Sequence, residues 1–143
     1  MHGLNQNIEV RYLGAAISAA NNTNAASTVI DMQGYESVLF VTAIADSTSG
    51  GSLTLTIEAG AASDGSDAVL VAGTTATRTS AANDDLNNQT LESEVFRPAS
   101  RYVRARRATA TQLGAYGELY AILVPYRLPA AAGTAGATGY AFN

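Results

Sequence analysis

Between Gly51 and Gly60 the chain reads GSLTLTIEAG, with Leu53, Leu55, Ile57 and Ala59 alternating against Ser52, Thr54, Thr56 and Glu58. A period of two puts the first set on one side of an extended strand and the second on the other, so this segment is a strand with one side buried. Further strands are expected at 8–12 (IEVRY), 27–31, 36–46, 68–73, 89–96, 101–108 and 117–126. ESVLFVTAIAD (36–46) is apolar on both parities and β-branched, which predicts a central strand covered on both faces. The turn-rich DSTSGG, 46–51, is expected to join it to the 51–60 strand as a hairpin. Residues 15–27 hold the one helix-compatible stretch, but their Asn and Thr content favours a loop. Gly, Ser, Asp and Asn clusters separate the rest. The pattern predicts an all-β fold: a single-domain antiparallel β-sandwich, jelly-roll-like, spanning 8–127.

Length and composition agree with one domain. Of 143 residues 28 are Ala, and Val, Ile, Leu and Phe together number 30, enough for one modest core. Residues 1–7 are expected to be a flexible leading segment. Residues 128–143 carry no charge, and Tyr140 and Phe142 sit on a small-residue tether. This predicts an extended C-terminal arm with a reach of roughly 50 Å at ~3.3 Å per residue, the two aromatics anchoring it on a neighbour. With no Cys, disulfides and thiolate metal sites are excluded. MHGLNQNIEVRY has neither a basic region nor an apolar run, so no signal peptide is expected, and no apolar stretch approaches the ~18 residues of a membrane span.

Catalysis has little to work with. The one histidine is His2, near the start, so nucleophilic machinery lacks a placed base. Asp64 and Asp67 in SDGSD resemble part of a calcium loop but serve equally as turn residues. Asp84 and Asp85 lie in an Asn-rich loop. Glu92 and Glu94, on one side of a strand and about 7 Å apart, suit a solvated face better than glycosidase chemistry. The sequence therefore predicts no enzyme and no cofactor or metal.

RYVRARRA, 101–108, concentrates four of the eight arginines in seven positions, the layout of a nucleic-acid patch. A formal net charge of −4 and the absence of Lys argue otherwise. Arg without Lys suits protein contacts, and is equally the product of a GC-rich codon bias. Written as a strand, the segment turns Val103 and Ala105 to the core and Tyr102, Arg104 and Arg106 outward. A hairpin through TATQLGA is expected to bring it against GELYAILVPY, pairing Arg106 with Glu118 and Arg104 with Tyr120. Such contacts contribute ~0.5–1 kcal/mol each when exposed. With Ile122 and Val124 beside them, these residues predict an outward protein-binding face.

DMQGYESVLFV (31–41) resembles the Asp-x-x-Gly-Tyr-x-Ser-Val opening of small virion proteins of tailed bacteriophages. GSLTLTIEAGAASDGSD is similar to the Gly-x-x-Thr-x-x-Ile-Glu strand and acidic Asp-Gly turn with which members of that group continue. RYVRARR and YAILVPYRLP resemble their late strands. Together these motifs cover roughly residues 28–128. The Ala-rich 61–79 segment and the long tail depart from the pattern. The resemblance implies a capsid decoration (cement) protein, a β-sandwich clamped over the phage major capsid protein on the virion's capsid surface and assembled in the host cytoplasm. A homotrimer is expected, with no nucleic-acid or membrane partner. The interface would comprise Tyr102, Arg104, Arg106, Glu118, Tyr120, Ile122, Val124, Tyr140 and Phe142. The alternatives are a head-completion or tail-associated phage structural protein and a glycan-binding β-sandwich of a host-recognition fibre; the lack of Trp counts against the last.

Overall fold

The computed structural model describes residues 4–126. The expected arm, with Tyr140 and Phe142, lies outside the described residues. One helical turn, α1 (Leu4–Asn7), precedes the strands β1 (Glu9–Gly14), β2 (Ile17–Ala20), β3 (Asn24–Ala26), β4 (Ile30–Asp31), β5 (Tyr35–Ser47) and β6 (Ser52–Gly60). After them come β7 (Val69–Leu70), β8 (Ala76–Thr79), β9 (Thr90–Phe96), β10 (Tyr102–Ala110) and β11 (Gly114–Pro125). They form two antiparallel sheets. The first runs β1-β11-β5-β9 with β2 also on β11; the second runs β3-β10-β6-β7 with β4 on β10 and β8 on β6. This is the predicted all-β sandwich.

Alternation places the core. Leu53, Leu55 and Ile57 of β6 and Val103 and Ala105 of β10 face Val38, Phe40 and Ile44 of β5 and Leu119, Ala121 and Leu123 of β11, all buried. The expected 27–31 strand shortens to β4, and 68–73 to β7. β8, and β2 and β3 within the expected 15–27 loop, are strands that the pattern missed. At two to four residues each, these elements are too short for a period to register.

Two expected hairpins are corrected. β5 and β6, joined through Thr48–Gly51, lie in opposite sheets, and so do β10 and β11, joined through only Thr111–Leu113. Each connection is an arch that turns through the sandwich. Gly50 (φ 82°) and Thr111 (φ 72°) supply left-handed backbone, an uncommon conformation for a β-branched residue. The arches stack, with Thr48 N donating to Leu113 O at 3.1 Å. Hence β5 neighbours β11 in one sheet while β6 neighbours β10 in the other. Nor is β5 covered on both faces: Leu39 and Val41 are half-buried and Ala43 and Ala45 exposed on its outward side.

Two polar side chains cross the core in opposite directions. Tyr116, fully buried on β11, inserts its hydroxyl between β6 and β10, where Thr54 N donates to it at 2.9 Å and it meets Ala108 O at 2.5 Å. Burial raises its phenol pKa to about 12. Arg107, 5% exposed on β10, reaches the first sheet and donates to Gly117 O at 2.7 Å and Ala15 O at 3.0 Å. Those carbonyls lie beside irregularities in β11 (Tyr116 to Leu119) and β1 (Tyr12 to Gly14), where the ladders leave them free to accept. The guanidinium sits 5.8 Å over the Tyr116 ring, and burial depresses its pKa. A side chain at Gly14 would come within 3.1 Å of it. Tyr116→Phe strands the Thr54 amide and Ala108 carbonyl, and is expected to destabilise the fold by ~1–3 kcal/mol. Urea unfolding should show a lower midpoint at unchanged slope; a change under ~0.5 kcal/mol would mean that this cross-core tie contributes nothing net.

Candidate protein-interaction surface

The arginine-rich strand pairs with β6, not with β11. On β10, Tyr102, Arg104 and Arg106 take the outward parity as expected, but in the second sheet, opposite Gly60, Glu58 and Thr56 of β6. The pairings Arg106–Glu118 and Arg104–Tyr120 are therefore corrected. Both guanidiniums converge instead on Glu58: Arg104 Nε at 2.7 Å from Oε2 and Arg106 Nε at 2.6 Å from Oε1. Arg106 Nη1 also donates to Asn24 Oδ1 at 2.7 Å. Burial pushes the Glu58 carboxyl up, but hydrogen bonds from Arg106 and Arg104 outweigh it, and the net shift is downward. Arg101 makes a two-pronged bond to Asp31 at 2.8 and 2.7 Å, which, with the Gln33 amide, holds that carboxyl at about 2. Around Glu58, Ser52, Thr54 and Thr56 complete a polar outward face.

The expected interface thus divides between opposite sides of the sandwich. Glu118, Tyr120, Ile122 and Val124 occupy the outward side of the first sheet, whose rows run across strands. One is Val10–Ile122–Leu39–Glu94 and the next Tyr12–Tyr120–Val41–Glu92. Val10 is 45% exposed, Tyr12 50%, Tyr120 43% and Phe96 61%, and Tyr12 meets Tyr120 edge-on at 5.7 Å. This face is apolar and aromatic, with glutamates at its β9 margin. Val10, Tyr12, Leu39, Val41 and Phe96 were missed as site residues. Their signal was present in the alternation of IEVRY and in the doubly apolar 36–46 segment, whose outward half lies on this face.

The acidic loop residues are turn-formers. Asp67 accepts the Ala61 and Ala62 amides at 2.9 and 3.0 Å, Asp64 the Ser66 amide at 2.9 Å, and Asp85 the Ala81 amide at 2.8 Å and the Ser80 hydroxyl at 2.7 Å. Among the described residues no cluster of His, Cys, Asp or Glu could hold a metal ion. At the β1–β5 end, Glu9 is buried between Arg11 Nε, at 2.7 Å, and the Tyr35 hydroxyl, and burial is outweighed there too, so its pKa falls.

No family model and no curated protein matches the chain. Among solved structures, the crystal structure of the PBSX exported protein XepA is similar in fold. Its TM-score is 0.56 at 14% sequence identity, covering 100% of this chain and 46% of that one, so this chain spans about half its length. The infectious bursal disease virus Gt strain structure gives 0.32 at 16% identity over 82% of this chain and 33% of that one, too low to carry an argument. The likeness to XepA is one of fold.

The ion pairs make two expectations measurable. Glu58, Glu9 and Asp31 have folded pKa values below those of the unfolded chain, ~4.3 and ~3.9. They therefore contribute stability that is complete above about pH 5 and lost as pH falls toward about 2. Denaturant titrations should show falling stability through that window, with a shallower fall in Glu58→Gln; a flat profile would contradict it. Because Arg101, Arg104, Arg106 and Arg107 are already engaged, fluorescence anisotropy at physiological salt should show no DNA binding. Micromolar, salt-sensitive affinity would mean that these arginines exchange Glu58 and Asp31 for phosphates.

Proposed function

We propose that this chain is a structural virion protein of a tailed phage, of the capsid decoration type. The carrying observation is the outward face of the first sheet, where Val10, Tyr12, Phe96 and Tyr120 are exposed and Ile122 and Val124 half-buried on neighbouring strands. A lone folded unit gains nothing from such a face, whereas an assembled one buries it. The motifs at 31–38 and 101–107 that resemble small phage virion proteins support a phage setting, and the fold is similar to that of the PBSX exported protein XepA. The reading is non-enzymatic and cofactor-free. The apolar face closes a homotrimer, while the polar face with Tyr102, Arg104 and Arg106 and the segment with Tyr140 and Phe142 meet the major capsid protein. Weak contacts repeated around the oligomer then act together through effective concentration and hold neighbouring capsid proteins against internal pressure.

Quantitative mass spectrometry of purified particles tests this. A copy number comparable to that of the major capsid protein is expected; one set per particle would favour a head-completion or tail-associated role. Ile122→Glu should keep the β-sandwich circular dichroism spectrum yet cosediment with capsids at least tenfold more weakly, the loss of avidity on dissociation. Undiminished retention would contradict the role given to this face.

A further inference from the structure

β9 forms one margin of the first sheet: among the described residues it pairs with β5 and with no strand beyond. The bonds flanking that ladder fix which of its backbone groups are used. Arg97 N donates to Glu36 O at 2.7 Å and Ile44 N to Gln89 O at 2.8 Å, so residues 91, 93 and 95 bond to β5. The N–H and C=O groups of Thr90, Glu92, Glu94 and Phe96 point the other way, where no backbone group of the described residues meets them. Such an edge is a template for a further strand.

Side chains decide what can use it. Those of the same four residues are exposed on the outward side of the sheet, and Glu92 and Glu94 form no ion pair among the described residues. Glu92 accepts the Thr90 hydroxyl at 3.0 Å. Beside them the sandwich is open: a groove of about 370 Å³ runs between Thr90, Leu91 and Glu92 on one wall and Ala76, Thr77 and Arg78 on the other. A strand added to β9 sends alternate side chains into this groove and the rest alongside the glutamates. Arg78, opposite buried Leu53 and so on the inner side of the second sheet, disfavours cations in the groove. The guest's cations therefore belong on its outward side alone.

Charge also excludes a second copy as the guest. Pairing β9 with another β9 sets glutamate against glutamate, which destabilises a cross-strand pair. The other edge strands carry at most one cation each: β1 has Arg11, held by Glu9, and β8 has Arg78. We propose that β9 takes up an extended segment of a partner protein, with basic residues two positions apart facing Glu94 and Glu92 and small neutral residues turned into the groove. The added strand runs antiparallel, as every ladder in the two sheets does. Backbone pairing supplies the affinity and the alternate side chains the selectivity. The second sheet already contains the same match, where Arg104 and Arg106 of β10 converge on Glu58 of β6. The inference stands apart from the virion role and is tested without a particle.

Fluorescence anisotropy on the full chain tests it with a labelled peptide, Thr-Thr-Arg-Thr-Arg-Thr. Saturable binding is expected, weakening as salt is raised. Methylating the backbone nitrogens of both arginines keeps the charge but removes the N–H donors that face β9, and should weaken binding roughly tenfold or more. Glu92→Arg/Glu94→Arg should lose the peptide by a similar factor and instead bind Thr-Thr-Glu-Thr-Glu-Thr, a gain that only a folded chain can show. No binding up to millimolar peptide would mean that the glutamates merely guard the edge. Undiminished binding of the methylated peptide, or by the charge-reversed chain, would mean that no strand is added beside the glutamates. Equal displacement of the label by an uncharged peptide of the sequence 129–143 would mean that the chain's own C-terminal segment fits the edge as well. Each of these results would overturn the proposal.

Discussion

Tyr116 and Arg107, reaching past each other across the core, fix how the two sheets meet. Each leaves its own sheet and bonds to backbone groups of the other, and the guanidinium lies over the phenol ring. A buried guanidinium without a carboxylate is expensive, and here carbonyls freed at irregular strand positions offset the penalty. The same irregularity has a second effect. Tyr116 and Leu119 both point inward, so the residue inserted between them shifts the parity of the rest of β11. Without it, residues 120 and 122 would enter the core and 119, 121 and 123 would leave it. The outward row of Tyr120, Ile122 and Val124 is thus a consequence of the bulge that Arg107 holds.

The outward faces are chemically unlike. On the second sheet, Ser52, Thr54, Thr56 and the Arg104–Glu58–Arg106 cluster satisfy one another and meet water at little cost. On the first sheet, three neighbouring strands present apolar side chains outward. At ~25 cal/mol per Å² of apolar surface, covering even part of this face contributes several kcal/mol to association. In the proposed assembly the first sheet makes the lasting contact and the second the weaker, polar ones.

The sequence pattern carried the strand content and much of the core. Leu53, Leu55, Ile57, Val103 and Ala105 are buried as their alternation requires, and Tyr120, Ile122 and Val124 face outward. Topology is less legible, because loop length alone does not tell a hairpin from an arch between sheets. A three-residue connection such as Thr111–Leu113 can close a hairpin or an arch. The choice depends on a left-handed Thr111 and on stacking against the Thr48–Gly51 arch, which local periodicity does not encode. Reading a hairpin there pairs Arg104 and Arg106 with Tyr120 and Glu118, residues on opposite sides of the sandwich. Arg107 and Tyr116 were passed over because a core arginine looks like a surface one until the carbonyls that receive it are known.

Hydroxyl-radical footprinting of Tyr12 and Tyr120 tests the central claim, that the outward face of the first sheet is covered in the working assembly. Both rings are about half exposed in the single chain. Their labelling is expected to fall severalfold on passing from dilute protein to the assembled, particle-bound state, while labelling of Tyr126, outside this face, stays unchanged. Equal labelling of Tyr12 and Tyr120 in both states would contradict it.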